Sequence, residues 1–419
     1  MDKAKSYHIS KNTVWNAYKH VKANDGAAGV DGVTISEFEK KVKDNLYKIW
    51  NRMSSGSYLP PPVKAVEIAK DDGKIRKLGV PTLADRIAQM VAKMYLEPLL
   101  EPHFHEDSYG YRPKKSALDA IRVARERCWR YDWVIDMDIK GFFDNIDHEL
   151  MMEAVKKHTK EPWILLYVQR WLLAPMQEVD GSITERTKGT PQGGVISPLL
   201  ANLFLHYVFD VWMRKWYPQN PFERYADDVV VHCKTEEEAK ALLGKLKERF
   251  QKCKLELHPE KTKIVYCKDS NRRGNSQHEK FDFLGYTFGP RSSRNRDGVL
   301  FVNFSPAMSN KAKKKIKDKV KDWRKEIKPT EALSKVAKII NPVTQGWINY
   351  YSRFHESEFR STVNNINVFL MRWAQRKYEQ LKRSWKKKKD WLFGSTERQP
   401  DLFAHWKWKL KHDLSRRAV

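Results

Sequence analysis

Cysteine is scarce. Cys128, Cys233, Cys253 and Cys267 are the four in 419 residues, and no two form a Cys-x-x-Cys pair. A disulfide framework is thereby excluded, and the four are expected to be reduced thiols. The 13 histidines show no His-Glu-x-x-His spacing, so zinc catalysis is not expected. No apolar run nears the roughly 20 residues that span a bilayer, and Met1-Asp2-Lys3-Ala4-Lys5 leads into no signal-like apolar core. These absences predict a soluble, cytoplasmic protein without a membrane partner. Acidic residues are also few: 52 Asp and Glu face 79 Lys and Arg, a formal charge of +27. Such an excess repels itself unless a polyanion answers it, and nucleic acid fits better than an anionic membrane surface.

What is present is a globular composition, with 41% hydrophobic and 12% aromatic residues, enough for two or three domains with real cores. Residues 11 to 55 read as helices broken by the glycine-rich connector Asn24 to Gly32; no Gly-Lys-Ser/Thr follows to make it a phosphate cradle. After Pro60-Pro61-Pro62, Val63 to Lys70 alternates as a strand, turns at Asp71-Asp72-Gly73-Lys74 and returns through Ile75 to Val80 as a two-stranded β-finger. Helical spacing predicts helices over Thr82 to Leu100, Ser116 to Trp129, about 148 to 174, 198 to 217 and Thr235 to Cys253. Buried or short strands are expected at Trp133 to Ile139, Leu255 to Leu257 and Lys263 to Tyr266, and an alternating strand at Phe283 to Phe288. The interleaving defines an α+β class. Beyond Ser305 the chain turns helical, with seven lysines from Lys311 to Lys321 and seven of the 15 tryptophans in roughly the last hundred residues. Taken singly, a lysine run is a solvated helix face and a tryptophan is core; interleaved beside a metal centre they point to nucleic-acid contact.

The chemistry rests on Tyr225-Ala226-Asp227-Asp228 at the tip of a predicted hairpin. Adjacent carboxylates repel one another unless a cation sits there, although acidic residues also serve plain surface turns. About 90 residues earlier, Asp136 and Asp138 share one face of a buried strand. Phosphoryl transfer needs two divalent metals about 4 Å apart held by a few carboxylates, and Mg²⁺ retains several waters, so two or three Asp residues suffice.

Asp136-Met137-Asp138-Ile139-Lys140-Gly141-Phe142-Phe143-Asp144 resembles the first palm motif of reverse transcriptases, and Tyr225 to Asp228 the second. Gly189-Thr190-Pro191-Gln192-Gly193-Gly194 resembles the motif between them, and the ordered set is specific. Tyr109-Gly110-Tyr111-Arg112-Pro113, Phe283-Leu284-Gly285-Tyr286 and Gln345-Gly346-Trp347-Ile348-Asn349-Tyr350-Tyr351 narrow the likeness to bacterial group II intron reverse transcriptase/maturases, over roughly residues 10 to 380.

This resemblance implies a right-hand polymerase followed by an α-helical thumb/maturase domain. The N-terminal extension and fingers would occupy 1–130, the palm, with its antiparallel sheet, 131–290 with a fingers insertion near 150–185, the thumb/maturase domain 291–385, and a basic Trp-rich tail, either a DNA-binding remnant or a truncated or divergent thumb extension, 386–419. It implies that Asp138, Asp227 and Asp228 hold two Mg²⁺ ions, Asp228 being the most dispensable and Asp136 structural or supporting. Phe143 matches the gate against a nucleotide 2′-hydroxyl, and Phe142 suits the core. Lys70 and Arg76 match triphosphate clamps, Gln192 faces the nucleotide with Gly193 and Gly194 allowing close approach, and Lys261 is the weaker match, as proton donor to pyrophosphate. Phe283 to Phe288 would form the primer grip or only palm core. No Cys pairs or His-Asn-His pattern of an appended nuclease follow residue 385.

The expected activity is RNA-directed DNA polymerisation from dNTPs on an RNA template with a DNA primer. The expected partners are structured intron RNA and target DNA, and the expected location the bacterial cytoplasm, at the nucleoid. Two alternatives stand beside it: a reverse transcriptase with a defence or repair role, and an RNA-binding splicing factor whose polymerase site is idle.

Overall fold

The computed structural model describes residues 6–69, 73, 75–295 and 297–408. In chain order the elements are α1 (Lys11–Ala23), α2 (Ile35–Glu39), α3 (Val42–Ser54), β1 (Val63–Ala69), β2 (Ile75–Val80), α4 (Leu83–Leu100), α5 (Ala117–Cys128), β3 (Trp133–Met137), α6 (Phe142–Asn145), α7 (His148–Lys156), α8 (Pro162–Leu173), β4 (Met176–Gln177) and β5 (Ile183–Thr184). There follow α9 (Ser197–Leu205), a π-helical turn (His206–Asp210), α10 (Val211–Trp216), β6 (Phe222–Tyr225), β7 (Asp228–Cys233), α11 (Glu236–Lys252), β8 (Lys263–Tyr266), β9 (Phe281–Phe283), β10 (Tyr286–Arg294) and β11 (Leu300–Met308). Toward the end of the described chain come α12 (Asn310–Glu326), α13 (Leu333–Tyr351), α14 (Glu356–Lys377) and α15 (Trp385–Arg398). One compact unit comprises 1–120 with 135–264, the other 121–134 with 265–419. Among the described residues no helix is long and apolar enough to cross a membrane.

In the first unit α4 is the central helix, with Leu83, Ile87, Ala88, Val91, Ala92, Leu96 and Leu100 all buried. Its start is fixed by Thr82, whose hydroxyl accepts the Asp85 N–H at 3.2 Å and so satisfies one of the donors a helix leaves open. The connector Asn24 to Gly32 is tied to it by Arg86, which donates to the carbonyls of Asp25 and Ala27 at 3.3 and 2.8 Å. A packed connector is thus what the loop provides. Helix α11 begins with a reciprocal capping box between Thr235 and Glu238.

Three strand expectations are corrected. The β-finger is not two-stranded: β4 pairs parallel to β1 and β5 antiparallel to β4, giving the order β2-β1-β4-β5. The N-terminal end of β1 has backbone groups that β2 leaves free on its other edge, and the segment after α8 takes them. Leu255 to Leu257 forms only one bridge, Leu257 to Ile139, because its neighbours turn away to cap α11 and reach Asp138. Phe283 to Phe288 is no continuous strand; it reverses at Leu284-Gly285, both with positive φ (49° and 80°), into the β9–β10 hairpin. A second four-stranded sheet has the order β6-β7-β3-β8.

In the second unit β9, β10 and β11 form an antiparallel sheet running to Met308, and the helices that follow share one core. Trp323, Ile340, Phe359, Phe369 and Trp373 lie at its centre. Phe403 and Trp406 belong to the same cluster, so the basic Trp-rich tail, as far as Trp408, is part of this core. Asn367 Oδ1 accepts from Trp406 Nε1 at 2.9 Å, which satisfies an indole that burial would otherwise strand.

Candidate active site

Strand β3 buries Val134, Ile135 and Met137, and Asp138 follows it half-buried, with Asp136 half-buried within the strand. The Asp138 main chain is pinned by the segment after α11. Its carbonyl accepts the His258 N–H at 2.7 Å, and its N–H donates to Thr262 Oγ1 at 3.3 Å. That wrapping brings Lys261 Nζ to 3.2 Å from Asp138 Oδ2.

The other carboxylates come from the β6–β7 hairpin, where Tyr225 pairs with Asp228 across the turn Ala226-Asp227. Of the two turn residues only Ala226 has positive φ, 55°, the pattern of a type II′ hairpin. Asp228 is exposed and Asp227 half-buried. Burial, and then the charge of Asp138, push the Asp227 carboxyl above the usual carboxylate range, while Arg76 and Arg224 pull against them. Two carboxylates far apart in the chain therefore act on one another electrostatically.

A buried clamp holds the turn. Arg224 and Asp210 are both fully buried; Nε and Nη2 donate to the two Asp210 oxygens at 2.7 and 2.6 Å. Nη1 donates to Asn202 Oδ1 at 3.0 Å and to the Ala226 carbonyl at 3.2 Å. Asn202 in turn donates to the Gly110 carbonyl at 2.7 Å. Burial alone would raise the Asp210 carboxyl, but Arg224 and His206 outweigh it and hold it below the usual range. A Cβ at Gly110 would lie 2.4 Å from Ala226 N, so only glycine lets this loop lie against the turn. Arg112 fastens the same loop, donating to Glu101, His105 and Ser108. Sequence reasoning missed Arg224, Asp210, Asn202 and Gly110 as supports. The available signal was an arginine inside a buried strand directly before the acidic pair, since a buried charge requires a partner.

The Gln192 loop lies between β2 and α6. The Gln192 carbonyl accepts the Gly79 N–H at 2.7 Å, and Thr190 N–H donates to the Phe143 carbonyl at 2.7 Å. Gln192 Oε1 accepts from Arg76 Nε at 2.7 Å, while Nε2 lies 3.5 Å from both Asp144 oxygens. Gly193 abuts the Gly79 carbonyl, which its Cβ would meet at 2.4 Å, and Gly194 abuts Ser197 Oγ. The close approach these glycines permit here is to the protein itself. Phe143 is half-buried beside the buried Phe142, their rings 5.4 Å apart. The structure thus gathers Asp138, Asp227, Arg76, Gln192, Phe143 and Lys261 into one connected set; Lys70 lies outside the described residues.

Among the described residues no group of three or more His, Cys, Asp or Glu side chains forms a ready metal cage. The donor set is two mutually repelling carboxylates with a third exposed beside them, which suits a hard cation that keeps much of its water.

Residues 68–288 match the reverse transcriptase (RNA-dependent DNA polymerase) family, and residues 313–391 match the group II intron, maturase-specific domain. The chain is 32% identical over 304 residues to protein YkfC of Escherichia coli (strain K12), covering 64% of this chain and 77% of that one. It is 34% identical over 204 residues to the group II intron-encoded protein LtrA of Lactococcus lactis subsp. cremoris, covering 48% of this chain and 33% of LtrA. A putative COX1/OXI3 intron 1 protein of Saccharomyces cerevisiae is 28% identical over 200 residues, 48% of this chain and 24% of that protein. The chain thus aligns with a third or less of the length of the last two. Every expected site residue from Lys70 to Lys261 falls inside the polymerase match, whose family works with a divalent metal. The chain belongs to the reverse transcriptases, the RNA-directed DNA polymerases, and within them to the group II intron reverse transcriptase/maturases.

Proposed function

We propose that this protein extends a DNA primer on an RNA template from dNTPs and assists the splicing and mobility of a group II intron. The observation that carries the catalytic reading is that β7 lies beside β3 in one sheet, which brings the Asp227–Asp228 hairpin and Asp138 to one place from about 90 residues apart in the chain. Asp138 and Asp227 would hold two Mg²⁺ ions, with Asp228 as the third and most dispensable ligand. When bound, the ions favour ionisation of the primer 3′-hydroxyl and neutralise charge on the transferring phosphate. Arg76 exchanges its bond to Gln192 for a charge-assisted one to the triphosphate. Lys70 on the same finger would join it. Gln192 then lies along the nucleotide, and Phe143 stands against a 2′-hydroxyl, selecting dNTPs. Lys261, beside Asp138, is within reach of a leaving pyrophosphate and able to protonate it.

In this reading fingers, palm and thumb occupy 1–130, 131–290 and 291–385. Structured intron RNA, target DNA and the RNA–DNA duplex would answer the charge of +27, and the protein would act in the cytoplasm at the nucleoid. RNA would be recognised by shape, phosphates and 2′-hydroxyls, with affinity falling steeply with salt. Primer extension with Mg²⁺ and dNTPs on an RNA template tests the catalytic reading. Activity is expected in the wild type and is lost in Asp138→Asn and Asp227→Asn; activity surviving both changes would overturn it. Splicing of a flanking intron RNA, restored by the protein at physiological salt, tests the maturase role.

A further inference from the structure

Helix α4 carries two buried polar side chains one turn apart, Asp85 and Gln89, only 1% and 2% exposed. Asp85 Oδ1 accepts from Tyr58 Oη at 2.9 Å and from Trp171 Nε1 at 2.8 Å, and Oδ2 accepts from Gln89 Nε2 at 2.9 Å. Burial pushes the Asp85 carboxyl up to about 6 against the pull of those three donors. With its NH₂ donating to Asp85 Oδ2, the Gln89 amide turns its oxygen the other way. The oxygen then accepts the Ile196 N–H at 3.3 Å, and it lies 3.2 Å from the place a Cβ on Gly194 would take. Gln89 thus reaches the far side of the loop whose near side presents Gln192. Thr190 Oγ1 closes the base of that loop on Ser197 Oγ at 2.9 Å, and β2 holds its tip through Gly79.

We infer that Gln89, oriented by Asp85, is a positioning residue for nucleotide binding: it sets the loop from Pro191 to Ile196 so that Gln192 faces the incoming dNTP. This rests on the proposed role of Gln192. Gln89 stands between the buried apolar residues Ala88 and Val91 of this helix, where an amide needs partners. Only a side chain with a donor at one end and an acceptor at the other links the Asp85 carboxylate to a backbone N–H.

The test is steady-state primer extension with dNTP as the varied substrate, on Gln89→Met, Gln192→Ala and the double variant, with hydrogen exchange of the 191–196 backbone alongside. Gln89→Met keeps the volume and removes both hydrogen bonds. It should raise the dNTP KM about tenfold, the size of one lost buried hydrogen bond, with kcat changed less than about twofold. In the Gln192→Ala background it should raise KM no further, because both act through one contact. Faster exchange at 191–196 is expected in Gln89→Met. Unchanged exchange, or KM effects that multiply in the double variant, would overturn the positioning role. If exchange quickens and Gln192→Ala leaves KM at its wild-type value, the nucleotide-facing reading of Gln192 falls, and the positioning role falls with it. Gly194→Ala puts a methyl against Gln89 Oε1 and Ser197 Oγ without touching Asp85. Should Gln89→Met not fold, the same rise in KM is expected from Gly194→Ala, and an unaltered KM there would overturn the inference.

Discussion

Two of the tight turns that put a non-glycine residue at positive φ, one in each unit, differ in what supports them. At Ala226-Asp227 the support is ionic: the buried Arg224–Asp210 pair reaches up to the Ala226 carbonyl. At Leu284-Gly285 it is aromatic. Tyr350 Oη donates to the Leu284 carbonyl at 2.7 Å, Tyr286 Oη donates to the Tyr350 carbonyl, and Tyr351 Oη lies 3.1 Å from where a Gly285 Cβ would be. A left-handed non-glycine residue costs roughly 1–2 kcal/mol in either place. The first turn spends a buried ion pair to hold carboxylates that repel each other, whereas the second carries no charge and needs only packing. Strain in the backbone therefore does not distinguish the two turns; the charge beneath and upon the first does.

The contrast is sharpest for activity. Asp227→Asn should lower primer extension by at least about a thousandfold, the order expected when charge placed at a reacting centre is lost, with thermal stability retained or raised. A loss under tenfold would make the first turn as structural as the second. Arg224→Gln strands the Asp210 carboxylate in the interior and should cost about 3–5 kcal/mol in urea melts. A cost below about 1 kcal/mol, the worth of a surface pair, would remove the clamp.

Acid separates the turns more gently. The Asp210 carboxyl is held below the unfolded value of 3.8, so its contribution is complete above about pH 4 and lost as pH falls through the depressed value. Burial raises the Tyr286 and Tyr351 hydroxyls, which leaves them neutral across this range. Urea melts from pH 5 downward should therefore fall less steeply in Arg224→Gln than in the wild type; equal slopes would deny the coupling. Gly285→Ala, forced to φ 80° against Tyr351, should cost about 1–2 kcal/mol and leave the turnover of folded protein alone. Ala226→Gly is the mildest change: it relieves the φ of 55° and should shift stability by less than about 1 kcal/mol. A large loss of activity there would show that the Ala226 methyl itself orders the carboxylates.

Much of the site was legible because its chemistry is local. Tyr225 to Asp228 declares a turn and its charge within four residues, and Thr235 with Glu238 declares a helix start. Other features were illegible because they depend on partners distant in sequence. Nothing near Val63 announces that Met176 will pair beside it. Phe283 to Phe288 alternates like a strand, and its reversal at Leu284 depends on Tyr350, more than sixty residues later. The tail shows the same limit. Lys386 to Lys389 and the tryptophans after them read equally as a binding surface or a thumb extension, and only packing showed Phe403 and Trp406 buried in the same cluster as Trp323 and Phe359.

By itself, the sequence determined which groups stand in the motifs. Asp138, Asp227 and Asp228, Arg76 and Gln192 are the groups that the likeness to reverse transcriptases singles out, and all five lie inside the matched region. Only the tertiary structure decided how they are held. Gly110 against Ala226, Lys261 against Asp138 and Gln89 beneath the Gln192 loop are contacts across long stretches of chain, and Arg224 meets Asp210 from the far side of α10. Burial is what gives them force: a charge or amide taken out of water must find its partner, and the fold alone determines which partner is near.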